Sequence, residues 1–161
     1  MKKTFSILGT ALMLAFAMVS CTEKESYDND TPTTPQHNAM YQTTWSGSGL
    51  YTVTVPIIGD FSLTVNNTVS FIDDSNATSY VQAVSLVSLD TNIQCSYVFN
   101  ANTGTLTAKN NSELSYAFTK TNDTTLNITL GKEDFARMWP SLATVLNYLP
   151  QASFSIDLYK Q

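Results

Sequence analysis

Large apolar side chains occupy every second position through the middle of this 161-residue chain, and no other feature constrains its fold as tightly. Tyr51, Val53, Val55 and Ile57 share one parity, which Phe61, Leu63, Val65, Val69 and Phe71 continue. Successive side chains of a strand point to opposite faces, so the run predicts strands with a single apolar surface. A three-residue loop at Ile58-Gly59-Asp60 pairs Ile57 with Phe61, Val55 with Leu63 and Val53 with Val65, keeping the large residues together. A four-residue loop, Asn100-Ala101-Asn102-Thr103, with Gly104 free to take positive φ, pairs Tyr97 with Leu106 and Cys95 with Ala108. A three-residue loop at Thr121-Asn122-Asp123 pairs Phe118 with Leu126, Tyr116 with Ile128 and Leu114 with Leu130. Tyr80 to Leu89 predicts one more strand, although its apolar residues fall on both faces. Polar turns between short strands indicate an antiparallel meander, and a domain rich in Thr, Ser, Asn, Tyr, Val and Phe favours the same state.

One segment changes period. Phe135, Met138, Trp139, Leu142, Val145, Leu146 and Leu149 recur in steps of three and four, which predicts a helix over 133–149. Glu133 and Asp134 sit in its first turn, where they favour the helix dipole. Pro140 predicts either a kink or a fresh start near a first turn, and Pro150 ends the helix. Phe154, Ile156 and Leu158 then alternate through a last strand. The expected order is strands, one helix and a closing strand, in a mainly β chain.

The start of the chain carries its address. Lys2 and Lys3 precede an apolar run from Phe5 to Val19, shorter than the ~20 residues that a membrane-spanning helix needs. The run ends Met18-Val19-Ser20-Cys21, which resembles the lipobox of bacterial lipoproteins. That resemblance implies a signal peptide over 1–20, lipidation of Cys21 and anchoring on a bilayer, where each buried CH₂ contributes about 0.8 kcal/mol. The acidic stretch after it, with Glu23, Glu25, Asp28 and Asp30, resembles the surface-export signals of Bacteroidetes lipoproteins and reads equally as a solvated tether. The expected location is the outer membrane, on its periplasmic or cell-surface face. Residues 21–38 hold Pro32 and Pro35 and little that is apolar, so a lipidated flexible tether is expected there. Residues 39–161 suit one domain with one core. Removal of Lys2 and Lys3 leaves 6 of the 8 basic residues against 13 acidic ones, a net charge of −7. With Arg137 the only arginine, nucleic acid is not an expected partner.

A meander with a late helix and a final strand resembles the lipocalin-like (calycin-like) β-barrel lipoproteins of Bacteroidetes. The resemblance rests on the lipobox at Cys21, on Trp45-Ser46-Gly47 opening the first strand, and on the double hairpin from Tyr97 to Leu130. It covers roughly residues 41–161. It implies an antiparallel barrel of about eight strands, with an interior cavity or a packed core. Well-known lipocalins open with Gly-x-Trp, whereas Thr43 stands two residues before Trp45, so no ligand type carries over. A fold does not fix a function.

The chemistry points away from catalysis. His37 is the only histidine and falls in the expected tether, which removes the positioned base of a Ser-His-Asp or Cys-His arrangement and the ligand of a His-based metal site. Trp45-Ser46-Gly47-Ser48-Gly49 lacks the spacing of a nucleophile elbow and reads as a flexible turn. Cys95 shares its parity with Ile93, Tyr97 and Phe99, so it is expected to point inward as a small apolar filler. Asp73-Asp74-Ser75-Asn76 offers oxygen ligands for calcium, but the same residues are those that turns favour. Asn66-Asn67-Thr68, Asn76-Ala77-Thr78 and Asn122-Asp123-Thr124 match the N-glycosylation pattern, and Asp123-Thr124-Thr125 resembles the O-glycosylation motif of Bacteroidetes. No enzyme, metal or cofactor is expected. The helix stripe either closes one end of the barrel or forms an apolar lid over a cavity, with Trp139 and Tyr148 at the rim. Two functions follow as expectations: non-catalytic binding of a small apolar or amphipathic ligand, or an accessory lipoprotein whose filled barrel meets a protein or glycan.

Overall fold

A computed structural model of the chain describes residues 36–55, 59–85, 87–147 and 153–161. The expected signal peptide, Cys21, most of the expected tether, Tyr148 and Pro150 lie outside the described residues. Eight strands form a closed antiparallel barrel in which each pairs with the next and the last returns to the first. They are β1 (Thr44–Val55), β2 (Gly59–Phe71), β3 (Asn76–Val84), β4 (Ser88–Asn100), β5 (Thr103–Ala108), β6 (Asn111–Lys120), β7 (Thr125–Gly131) and β8 (Ser153–Lys160). A helical segment precedes β8: α1 (Lys132–Met138), a 3₁₀ turn at Pro140–Leu142, and α2 (Ala143–Leu146).

Alternation explains the barrel. Burial switches at each step along β4 and β7, and Ile93, Cys95, Tyr97, Leu126, Ile128 and Leu130 all face the core. Phe154, Ile156 and Leu158 complete it from β8. Each such side chain contributes about 1.5–3 kcal/mol on leaving water, and one apolar face can be buried only by curling the sheet on itself.

Faces came out as the pattern predicts, but two registers did not. Phe61 pairs with Val53 instead of Ile57, and Leu63 with Tyr51 instead of Val55. Gly59 takes φ +93° at the start of β2, opposite Val55, so the strands part earlier than a loop at 58–60 implies. Phe118 pairs with Ile128 instead of Leu126, because the three-residue turn lies one position later, at Asn122-Asp123-Thr124, and closes with Thr121 N–H donating to Thr125 O at 3.0 Å. Both slips move the pairing by an even number of residues, so Leu63, Val65, Tyr116 and Phe118 keep their inward parity.

The third hairpin has its expected register, with Tyr97 opposite Leu106 and Cys95 opposite Ala108. Pairing runs on to Asn100 and Thr103, so only Ala101 and Asn102 turn the chain, and the positive φ belongs to Ala101 (55°). Gly104 is needed for space, since a Cβ there would collide with the Phe118 ring. Tyr80 to Leu89 is not one strand: β3 ends at Val84, Ser85 N–H donates to Val87 O at 2.9 Å, and β4 begins at Ser88. Within β3 the apolar residues themselves divide, Val81 and Ala83 facing the core and Tyr80 exposed, which is why no single face is apolar in this stretch.

Of two further expectations, the fresh start at Pro140 is met and the turn at Trp45 to Gly49 is corrected. The helix is interrupted: Trp139 leaves helical geometry (φ −135°, ψ 85°), and Pro140 opens a fresh turn, as its ring disfavours a helical residue before it. Trp45 to Gly49 is not a turn but the start of β1. A Cβ on Gly47 would strike the Asp157 carbonyl, so the glycine lets β8 close against β1. This seam is short, with Trp45 opposite Lys160 and Ser46 opposite Tyr159. Farther along, Tyr51 folds over Gly49, and its hydroxyl donates to Ser155 O at 2.7 Å.

Candidate functional site

The residues that precede β1 close one end of the barrel. Met40 is fully buried there, and the Thr43 hydroxyl donates to its carbonyl (2.6 Å) while accepting from the Trp45 indole N–H (2.9 Å). Phe71 N–H donates to Thr43 O at 2.8 Å. His37 and Asn38 also belong to this end: His37 Nδ1 donates to Asp74 at 2.7 Å and stacks on Tyr41, and Asn38 N–H donates to the same carboxylate at 2.8 Å. The Asn38 amide donates in turn to the Tyr97 hydroxyl, which donates to Asp73 O at 2.7 Å.

The Asp73–Asn76 sequence forms the β2–β3 turn. One Asp73 oxygen accepts from the backbone N–H groups of Ser75 and Asn76, each at 2.8 Å, and from the Asn76 amide. These bonds, led by that of the Asn76 side chain, lower its pKa to about 2. Asp74 is lowered first by its bond from His37 and then by that from Asn38. Both carboxylates are therefore engaged, Asp73 within the turn and Asp74 by the segment that precedes β1. Among the described residues no group of three or more His, Cys, Asp or Glu side chains converges as metal ligands would.

The helical segment covers the opposite end. Phe135 is fully buried, with its ring 4.7 Å from that of Phe154 and 5.7 Å from that of Trp139. Trp139 is 7% exposed, so it lies within the closure and not at an open rim. Polar ties here are long: the Trp139 indole N–H donates to Asp90 O at 3.5 Å, and Arg137 approaches Glu113 on β6 at 3.7 Å. Asp134 accepts from Gly131 N–H at 2.8 Å and meets Arg137 at 3.7 Å. Burial still pushes its pKa up against those two. A groove of about 620 Å³ runs outside α1, lined by Glu113, Ser115, Asp134, Arg137 and Asn147.

Between the two ends the interior is not wholly apolar. Asn67 (1% exposed), Ser79 (0%) and Tyr116 (3%) point inward from β2, β3 and β6. The Asn67 amide, the Ser79 hydroxyl and the Tyr116 phenol have no hydrogen-bond partner among the described residues. Ser79 and Cys95 lie close enough to Tyr116 to affect its ionisation, yet no contact has hydrogen-bond geometry, and burial pushes the phenol strongly up. Leaving one such group buried and unpaired costs about 1–3 kcal/mol. Cys95 points inward as expected, and burial pushes its thiol up to about 11, far from a reactive thiolate.

Sequence reasoning missed this trio, although a signal for it existed. Asn67 and Ser79 are polar residues at inward parity, Asn67 standing between Val65 and Val69. Asn67 was noticed only as the middle of a glycosylation pattern, and Tyr116 passed for an apolar residue. No known protein family, curated protein or solved structure matches the chain.

Proposed function

We propose that this chain is an exported lipoprotein of the lipocalin-like kind, and that its barrel binds a small apolar or amphipathic ligand without catalysis. One observation carries the reading: the barrel is closed unequally. Short, well-directed hydrogen bonds fix the end near Met40, whereas the polar contacts described from the helical segment to β4 and β6, Trp139 to Asp90 and Arg137 to Glu113, are 3.5 and 3.7 Å long. A segment held mainly by ring packing opens at lower cost than one held by a bonded network, and binding cavities gain access through such elements. Cys21 supplies the lipid anchor in this reading, and the outer membrane is its site.

Titration of the full chain with fatty acids, haem and sterols, followed by tryptophan fluorescence, tests the binding. Saturable quenching with any of them is expected, because Trp139 lies in the closure; a flat response to all three would remove the proposal. Metabolic labelling with palmitate tests the anchor separately, with label expected in the native chain and lost in Cys21→Ser.

A second reading keeps the barrel filled and assigns function to its outer face, meeting a protein or glycan. The large rings inside both ends, Phe71 with Phe118 and Phe135 with Phe154, favour it. Failure of every ligand probe, with the fold intact, would select it.

A further inference from the structure

Buried polar side chains in this barrel divide into two kinds. Thr43 and Asp134 sit at the ends, and both are hydrogen-bonded to backbone groups. Asn67, Ser79 and Tyr116 lie along their strands, inside the core, and carry four unpartnered atoms between them. Their cross-strand neighbours are apolar or lack a side chain: Gly47 and Val81 face Asn67, Val69 and Ile93 face Ser79, and Leu106 faces Tyr116, so none of them offers a polar partner. Large rings lie on either side of this level, with Phe71, Tyr97 and Phe118 grouped together and Phe135, Trp139 and Phe154 forming a second group.

The chemistry of the trio selects a partner. An amide and two hydroxyls can each both donate and accept, which suits a group that does the same. The buried residues among those described include no lysine or arginine. A carboxylate drawn to this level would lose its hydration without gaining a counter-charge, so charged head groups are disfavoured. A few convergent polar groups within apolar walls are how binding sites orient a ligand.

We infer that Asn67, Ser79 and Tyr116 form the head-group site for an uncharged amphiphile, holding a hydroxyl or amide group inside the barrel. The inference rests on the ligand-binding reading above and adds the class of ligand and its orientation, polar group innermost.

The test titrates the full chain with 1-decanol and with decanoate near neutral pH, probes that share a chain and differ in the head. Decanol is expected to bind about tenfold tighter or more, and Tyr116→Phe, Ser79→Ala and Asn67→Val each to weaken it about three- to tenfold. Decanoate affinity should stay the same in all three variants. Tyr116→Phe removes a single oxygen and keeps the ring, so it carries the test should Asn67→Val fail to fold. Equal binding of both probes, or variants that leave decanol affinity unchanged, overturns the head-group site while the barrel reading stands. If neither probe binds, the head-group site falls, and the barrel reading falls with it only if fatty acids, haem and sterols also leave the fluorescence unchanged.

Discussion

The two ends of this barrel are closed by the same means at their centres and by different means around them. Met40 plugs one end and Phe135 the other, and both side chains are fully buried. Around Met40, however, Asn38 bonds to Asp74 and Tyr97, Tyr97 to Asp73, and Thr43 to Met40 itself, all at 2.6–3.0 Å. Around Phe135 the corresponding contacts reach 3.5–3.7 Å, and the covering helix breaks at Trp139. Burial alone therefore does not distinguish a fixed floor from a movable cover. Geometry of the polar contacts does, because a directed hydrogen bond resists the sliding that ring contacts tolerate.

The strongest challenge to this contrast is removal of the plug at the helical end. Phe135→Ala should cost about 3–5 kcal/mol in urea denaturation, the range for emptying a buried phenylalanine site. Amide exchange should then quicken in α1 well before it does in β1 and β2. Uniform quickening over the whole barrel would show that the cover has no independence, and a cost below ~1 kcal/mol would show that Phe135 is not part of the core.

A paired comparison sharpens the point at lower amplitude. Asn38→Ala keeps the backbone bond to Asp74 but removes the side-chain bonds to Asp74 O, the Tyr97 hydroxyl and Met40 N–H, and should cost about 1–3 kcal/mol, since it leaves the Tyr97 hydroxyl less well satisfied. Arg137→Ala removes its ion pairs with Glu113, Glu133 and Asp134, yet Glu113 and Glu133 are largely exposed, so the loss should stay below ~1 kcal/mol. Thermal melts of the two variants side by side would settle the ranking. An Arg137 variant as damaged as the Asn38 one would mean that the two ends are equally secured.

How much of this could be read from the chain depends on what each residue reports. Inward parity is a local property of Leu63, Val65, Ile93 or Ile156, so the barrel faces were legible without a structure. Register is set by turns, and Gly59 and the turn at Asn122-Asp123-Thr124 each shift it by an even number of residues, which keeps the parity of the strands. The floor was legible only in part. His37 and Asn38 look like tether because their partners, Asp74 and Tyr97, lie 36 and 59 residues away from Asn38. The interior trio was harder still, for Tyr116 has the inward parity of a core residue and only the surrounding packing leaves its hydroxyl without a partner. Contacts remote in sequence, not composition, were what sequence reading could not supply.

The smallest expected effect concerns acid, and it too separates the ends. Hydrogen bonds from Asn76 and Ser75 hold Asp73 at about 2, and those from His37 and Asn38 lower Asp74. A carboxyl whose pKa is depressed by folding binds protons more readily once unfolded. Its contribution is therefore complete above the ordinary carboxylate range and lost as pH falls through the folded value. The floor should accordingly loosen between about pH 4 and pH 2. Asp134 at the helical end has the opposite sign: its raised pKa costs stability once the group is charged, and protonation relieves it. Acid should thus weaken the floor while easing the cover. Melting temperatures across this range would fall in the native chain and fall less steeply in Asp73→Ala, whereas Asp134→Asn should leave the acid slope as steep as before or steepen it. Parallel curves for the native chain and Asp73→Ala would show that the β2–β3 turn does not secure the floor, and with it would go the distinction between the ends.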